Sequence, residues 1–421
     1  MDQTRRRLPP LVSDLAGVFG LMGLTLLVLL ALAYDTALAK AMLSLEMNDF
    51  GKFYYSARHF LEGVDLYAIG PATMVPMSDL EWLRLENMNP PHFHLLILPF
   101  SLWGPRVALA GWTIASVTSL TLAARLVIND LGRPMITRWR LAFLVFVFVA
   151  WVGTGSLIVT GQLSWILLWP LTMSWSAMRR GHWLKSGMLV GLLASVKPFL
   201  GVLFVYFVIR RQYRAAVAGL LALASAFLMG LAVFGIAAHV SWIRALRGID
   251  WSWLAMNGSL LGFVTRVFSR SPQLVPLAAQ PDVIIPLWLV AAALGLAVTL
   301  VAVVRRRCEV DRAFLLLLVA SLLFSPLGWV YYAWFLIPPL VAICGQGLFH
   351  RQRAWLIPAL VAGLWPVPLT VIGQPSALAT ITLGSIYFWG FLSLWTAVLR
   401  DSPRPAVGAL PAAAAGGLCS C

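Results

Sequence analysis

The chain has 421 residues, 60% of them hydrophobic and only 11% charged, with a formal net charge of +15 at pH 7. Several stretches run about twenty residues without a charge, the length a helix needs to cross a bilayer core, which excludes a soluble domain. The positive charge is no nucleic-acid footprint, because it falls in short clusters between apolar runs, where it reads as membrane orientation.

Residues 1–14 carry Arg5, Arg6 and Arg7 and are expected on the cytoplasmic side. The first apolar run, 15–34, is too long for the core of a signal peptide and lacks a small-residue cleavage site, so it reads as a retained helix. The next stretch reverses the charge balance: residues 35–93 hold eight of the sixteen acids against four bases. The sequence therefore predicts an outer loop over 35–104. Inside it, Phe50, Phe53, Tyr54, Ala57, Phe60 and Leu61 recur at helix spacing, which predicts an amphipathic helix lying flat at the outer interface. Asp49 stands at its start. Two readings stand for this carboxylate: a helix N-terminal group favoured by the dipole, or a general base taking a proton from a sugar hydroxyl. Tyr and Trp favour the interfacial level, and Tyr54 and Tyr55 are candidate sugar contacts. His92 and His94 follow a Pro pair; no nearby carboxylate completes a metal motif, so acceptor binding or loop hydrogen bonding is expected, and no metal or cofactor.

With Arg5–Arg7, seven basic clusters along the chain mark cytoplasmic flanks, among them Arg179/Arg180/Lys185 and Arg210/Arg211/Arg214. The stretches between them must go out and return, which predicts ten to twelve crossings within a single membrane domain over 15–399. The stretch 141–178 divides at Gly161-Gln162. Two intervals, 186–209 and 313–349, are too short for two full spans. For 186–209 either a partial-depth hairpin turns at Lys197-Pro198 or one flank lies outside; non-helical backbone at that depth needs shielding by protein or water. Lys197 is one of four lysines against 27 arginines and stands in an apolar run. An ammonium at a helix centre costs about 2.5–3.5 kcal/mol on insertion scales, and its natural partner is a phosphate. Asn257-Gly258-Ser259 with Arg266 offers an amide, a hydroxyl and a guanidinium suited to sugar hydroxyls and a phosphate, although each singly fits a turn or cap. Ser325-Pro326-Leu327-Gly328-Trp329, followed by Tyr331 and Tyr332, breaks the 313–349 interval. Cys308, Cys344, Cys419 and Cys421 have no metal or disulfide spacing, and the Ala/Gly-rich tail within 400–421 reads as disordered and cytoplasmic.

The order of these residues resembles glycosyltransferase family 87, from about residue 48 to 345. The matching positions are Asp49-Phe50 with Tyr54-Tyr55, Gly63 and Leu66-Tyr67, Pro90-Pro91 with Pro99, Gly161-Gln162, Lys197-Pro198, Asn257-x-Ser259-Leu260 with Arg266, and Ser325-Pro326-x-x-Trp329. The resemblance implies an all-α polytopic membrane protein of the GT-C fold. It implies inverting transfer of a hexose, mannose in the family, from a polyprenyl-phosphate donor to a lipid or glycan acceptor at the periplasmic face of a bacterial plasma membrane. Asp49 matches the family's catalytic aspartate, and Lys197 and Arg266 match basic positions near the donor phosphate. Gln162, Asn257, Tyr54, Tyr55, His92, His94, Trp329 and Tyr332 are then expected around sugar and acceptor. One departure is clear: many members carry a His pair where this chain has Tyr331-Tyr332. The rival reading is a transporter or flippase of a polar lipid, which also wants buried basic residues and broken helices. Against it, the chain has no two-half repeat and its acids concentrate in one outer loop.

Overall fold

The computed structural model describes residues 49–70, 74–76, 82–84, 86–132, 150–249, 251–271, 274–305, 309–365 and 376–401, with isolated positions at 148 and between 23 and 33. The N-terminal segment, most of the first apolar run, Cys308 and the tail beyond Asp401 lie outside the described residues. The protein is an all-α polytopic membrane protein. Helix α1 spans Asp49–Leu61, α2 Pro105–Leu131, α3 Val152–Thr160, α4 Ser164–Arg179, α5 Trp183–Val196, α6 Leu203–Ile209, α7 Tyr213–Arg247 and α8 Leu260–Phe268. Helices α9 Ile284–Arg305, α10 Val310–Phe324, α11 Ile337–Gly345, α12 Leu348–Leu364 and α13 Ile386–Arg400 complete the bundle. A hairpin of two three-residue strands, Met74–Pro76 and Trp82–Arg84, follows α1 in the register Met74↔Arg84.

Among the described residues four helical stretches are long and apolar enough to cross a membrane: Pro105–Leu131, Tyr213–Arg247, Pro281–Arg305 and Ala377–Arg400. Much of the remaining described helix is built from shorter legs, and most of the first apolar run expected to cross lies outside the described residues. The two intervals too short for full spans are both hairpins. Trp183, at the start of α5, packs its ring 6.4 Å from Tyr206 in α6, so the chain doubles back at Lys197-Pro198. Proline forces its predecessor away from helical backbone, and Lys197 accordingly ends α5 at φ −127°, ψ 92°. Small residues hold this hairpin against α7. A Cβ on Gly187 or Gly191 would lie 2.0 Å from the carbonyl oxygen of Ala215 or Gly219, so only glycine permits this approach. The second hairpin climbs α10, turns at Ser325–Trp329 and descends through a 3₁₀ turn, Val330–Leu336, into α11. A third break, at Gly161, separates α3 from α4.

Polar residues divide between the two ends of the bundle. Helix α4, 16 residues or about 24 Å long, has Gln162 just before one end and Arg179 at the other. At the arginine end, Arg180 pairs with Asp130, and Asp311 accepts from Trp175 Nε1 at 2.9 Å and pairs with Arg179 at 3.2 Å. Asp401, fully buried, accepts Arg351 Nε at 2.6 Å and Nη2 at 2.9 Å in a forked pair and also meets Arg312. Burial pushes its carboxyl pKa up, but the Arg351 hydrogen bonds and the two guanidinium charges outweigh that and hold it below its ordinary value. The tail boundary expected at 400 is thus pinned by its first residue. Between the ends, α7 and α9 present Leu221, Leu228, Ile236, Val290 and Leu294 outward, as lipid-facing surface does.

Candidate active site

The opposite end gathers three helix breaks and the 86–97 segment around Asp49. Helix α1 begins at Asp49, and its first two turns are enclosed: Phe50, Gly51, Lys52, Phe53, Tyr54, Ser56 and Ala57 are all buried. A helix lying flat on the interface would bury one face only, so that expectation is corrected; α1 is inserted among helix ends. The aromatic residues that gave the amphipathic pattern do the anchoring. Phe50 packs 5.8 Å from Trp112 of α2, and Phe53 lies edge-on to Phe93 at 5.0 Å.

Asp49 faces inward. Its two carboxylate oxygens meet side chains: Oδ1 pairs with the ammonium of Lys52, one helical turn on, and Oδ2 accepts from Gln162 Nε2. Gln162 reaches it because Gly161 takes a left-handed conformation (φ 65°, ψ 34°) that ends α3. An added Cβ there would fall 2.5 Å from Phe50 Cβ, so the break and α1 touch through a position only glycine can fill. Trp112 Nε1 donates to the Gly161 carbonyl at 2.8 Å and fixes the turn. Gln162 Nε2 also donates to Tyr331 Oη at 3.1 Å, which joins the third break to the second hairpin.

Lys197, at the tip of its hairpin, points into the same region. Its Nζ donates to Asn89 Oδ1 at 3.0 Å and lies 5.4 Å from the centre of the Tyr332 ring. The charges of Asp49 and Lys52 both act on it. Asn89 is itself held by Asn87, whose Oδ1 accepts from Asn89 N and Nδ2, each at 3.1 Å. The Asn87 amide donates in turn to Ser56 Oγ at 3.0 Å and to His94 Nε2 at 2.8 Å. With His94 Nδ1 donating to the Pro91 carbonyl at 3.2 Å, both ring nitrogens are used. Behind Lys197 stands an aromatic wall: Trp251 stacks on Trp329 at 5.3 Å, Trp329 on Tyr331 at 6.1 Å, and Tyr332 lies parallel to Phe335 at 5.7 Å.

The structure therefore brings together Asp49, Gln162, Lys197, Tyr332 and Trp329 of the expected residues. Others it commits elsewhere. Arg266, expected at the donor phosphate, is fully buried; its Nε donates to Ser385 Oγ at 3.0 Å and its Nη1 to the carbonyls of Leu254 at 3.1 Å and Asn257 at 3.0 Å, while its Nη2 has no hydrogen-bond partner among the described residues. Asn257, expected at the sugar, spends its whole amide on two loops: Nδ2 donates to Ser252 O and Pro326 O, and Oδ1 accepts from Ser259 N and Gly328 N at 3.1 and 2.8 Å. Ser259 caps α8. These residues hold the 251–259 and 325–329 loops behind Trp329, because a buried amide or guanidinium takes the partners its packing offers. Tyr54 donates its hydroxyl to the Trp103 carbonyl at 2.8 Å, and Tyr55 packs edge-on to Tyr54 at 5.1 Å, so both brace α1.

His92 is buried with Nε2 on the Ser195 carbonyl at 3.1 Å and its ring 4.7 Å from Phe227, bracing the hairpin that carries Lys197. Burial drives the pKa of His92 down to about 4, more than the Ser195 carbonyl restores. The pKa of His94 is likewise driven by burial to about 4, against the carbonyls of Pro91 and Pro90. Both are neutral at pH 7. Among the described residues no three His, Cys, Asp or Glu side chains converge as metal ligands.

Lys52, Asn87 and Asn89 escape the sequence reading. Signals for them exist: Asp49, Lys52, Phe53 and Ser56 follow i, i+3, i+4, i+7 on one helical stripe, and Asn87 and Asn89 alternate immediately before the Pro pair.

This constellation has relatives. Residues 87–326, more than half of the chain, match glycosyltransferase family 87. The chain belongs to that family. Asn87, Asn89, Gln162 and Lys197 fall inside the matched region, whereas Asp49, Lys52 and the 329–332 wall lie outside it. Across 371 residues the chain is 25% identical to the polyprenol-phosphate-mannose-dependent alpha-(1-2)-phosphatidylinositol mannoside mannosyltransferase of Mycobacterium tuberculosis, covering 82% of this chain and 83% of that protein. It is also 25% identical over 398 residues to the enzyme of the same description from Mycolicibacterium smegmatis, covering 86% and 85%. No solved structure matches the chain.

Proposed function

We propose that this glycosyltransferase family 87 member transfers mannose from polyprenyl-phosphate-mannose to a hydroxyl of a glycolipid acceptor, with inversion, at the periplasmic face of a bacterial plasma membrane. One observation carries the reading: a carboxylate, an amide and two ammonium groups converge where short helices end, at the end of the bundle opposite to the Arg179/Arg180 and Arg312/Arg351 ion pairs. Asp49 accepts the proton of the acceptor hydroxyl as its oxygen attacks C1 of the sugar. The C1–O bond to phosphate breaks on the opposite face, and the phosphate monoester leaves with the bonding electrons. Lys197 and Lys52 meet the charge that develops on it, in a site held ready by Asn89 and the aromatic wall. Lys52 takes the part the sequence suggested for Arg266, whose Nε and Nη1 are committed to Ser385 and to loop carbonyls. Lys52 also holds Asp49 until substrate arrives, so donor binding that draws Lys52 to the phosphate frees the base.

The names of the mycobacterial relatives support the donor and a mannolipid acceptor. A narrow apolar slot lined by Val330, Ala333, Leu340, Gly363 and Gly390 begins beside Tyr331 and supports a lipid-linked substrate. Periplasmic orientation is supported by the arginine clusters at the far end. The test is transfer of radiolabelled mannose from polyprenyl-phosphate-mannose to endogenous lipids in membranes bearing equal amounts of wild type, Asp49→Asn, Lys52→Met or Lys197→Met. Wild type should label a new product, Asp49→Asn should lose at least 100-fold in rate, and the lysine variants should lose both rate and donor affinity. Equal transfer by Asp49→Asn would remove Asp49 as the base. A lipid moved across the bilayer without a labelled product would favour the transporter reading.

A further inference from the structure

At the arginine end, a groove opens between α2 and α4 with a volume of about 490 Å³. Its two halves differ in chemistry. The floor is Leu122 and Leu126, one turn apart on α2, facing Trp169 and Met173, one turn apart on α4. The rim is Arg125, Arg180, His182 and Lys185. A second cleft of about 670 Å³ shares His182 and Lys185 and adds Gln212 and Arg214, so the basic rim runs on toward the start of α7. Arg180 pairs with Asp130. Arg125, Lys185 and Arg214 make no ion pair among the described residues, although they crowd one edge of a membrane-spanning helix.

We propose that this groove binds one anionic phospholipid of the leaflet at that end, with the acyl chain along the Leu122–Trp169 floor and the phosphodiester at Arg125 and Lys185. Three cationic side chains, Arg125, Arg180 and Lys185, against the single carboxylate of Asp130 leave an excess that a zwitterionic headgroup does not balance. A free phosphate would leave the apolar floor open to water. A lipid phosphodiester with its acyl chain satisfies both halves, as basic pockets between membrane helices do for anionic headgroups. Trp169 is 39% exposed at the groove, in keeping with an aromatic ring that flanks a lipid chain. The basic rim, at Arg180 and Lys185, lies beyond the end of α4 opposite to Gln162 and Asp49, and the site is independent of the transfer reaction.

The experiment is native mass spectrometry of the delipidated full chain, offered phosphatidylglycerol and phosphatidylcholine at equal concentration. Wild type should retain one phosphatidylglycerol at least fivefold over phosphatidylcholine. Arg125→Gln/Lys185→Gln should bring that preference within twofold, whereas Arg244→Gln/Arg247→Gln, which removes the same charge elsewhere, should leave it unchanged. Leu126→Trp, which fills the floor without altering charge, should also lose the lipid, and millimolar inorganic phosphate should not displace it. Equal retention of the two lipids by wild type, undiminished preference in the Arg125/Lys185 double variant, retention by Leu126→Trp, or displacement by phosphate would each overturn the proposal.

Discussion

Gly161→Ala tests the junction on which the site depends. Gly161 holds φ at 65°, and an added Cβ would fall 2.5 Å from Phe50 Cβ. The left-handed backbone alone costs a non-glycine residue about 1–2 kcal/mol. The overlap adds about 1–3 kcal/mol, the usual penalty for an extra carbon in a packed core. The simplest relief moves Phe50, and Asp49 is its chain neighbour, so the carboxylate shifts relative to Gln162 and Lys197. A displacement near 1 Å can cost about 100-fold in rate. Gly181→Ala is the matched control: it has φ 76° but no atom within 4 Å of the new Cβ, so it carries the backbone cost without the clash. Mannosyl transfer and thermal midpoint would be measured on both purified variants. Gly161→Ala should be the less stable of the two and lose most of its kcat, whereas Gly181→Ala should keep wild-type kcat. If Gly161→Ala matches Gly181→Ala in both readings, the argument that this contact positions Asp49 is wrong.

Asn257→Ala removes four hydrogen bonds and strands the buried N–H groups of Ser259 and Gly328. It should cost about 2–4 kcal/mol and lower the thermal midpoint, with donor KM unchanged in the folded fraction; a raised KM at unchanged stability would return Asn257 to the sugar. The two buried histidines make stability depend on pH. Their pKa values fall from 6.5 to about 4 on folding, so the unfolded chain binds protons first as pH drops. Stability is full above about 6.5 and is lost progressively down to about pH 4, by up to about 3 kcal/mol for each ring. Thermal midpoints between pH 8 and 4 should show this slope, and His94→Gln, which keeps an amide near Asn87 but does not titrate, should flatten it. An unchanged slope in that variant would count against the assignment for His94.

Much of the architecture is legible in the chain, because it rests on local physics. Uncharged runs identify spanning helices, proline after Lys197 ends one, and two intervals too short for paired spans announce hairpins. The aromatic spacing after Asp49 identifies α1 to within a residue. What the chain alone left open was where side chains end up. Lys52 carried no assignment, whereas Arg266 looked like a phosphate ligand and Asn257 a sugar contact. The partners that build the site and its support lie far away in sequence: Asn89 is 108 residues from Lys197, Gln162 113 from Asp49, and Ser385 119 from Arg266. A buried polar group takes whatever partner the packing offers, and packing is a property of the assembled bundle. The sequence by itself determined a polytopic helical protein with broken helices and one acidic outer segment, since helix length, charge placement and proline act along the chain. Only the tertiary structure decided that Lys52 and Lys197 share a site with Asp49 while Arg266 and Asn257 hold the loops behind it, because those contacts form between helix ends that the chain keeps apart.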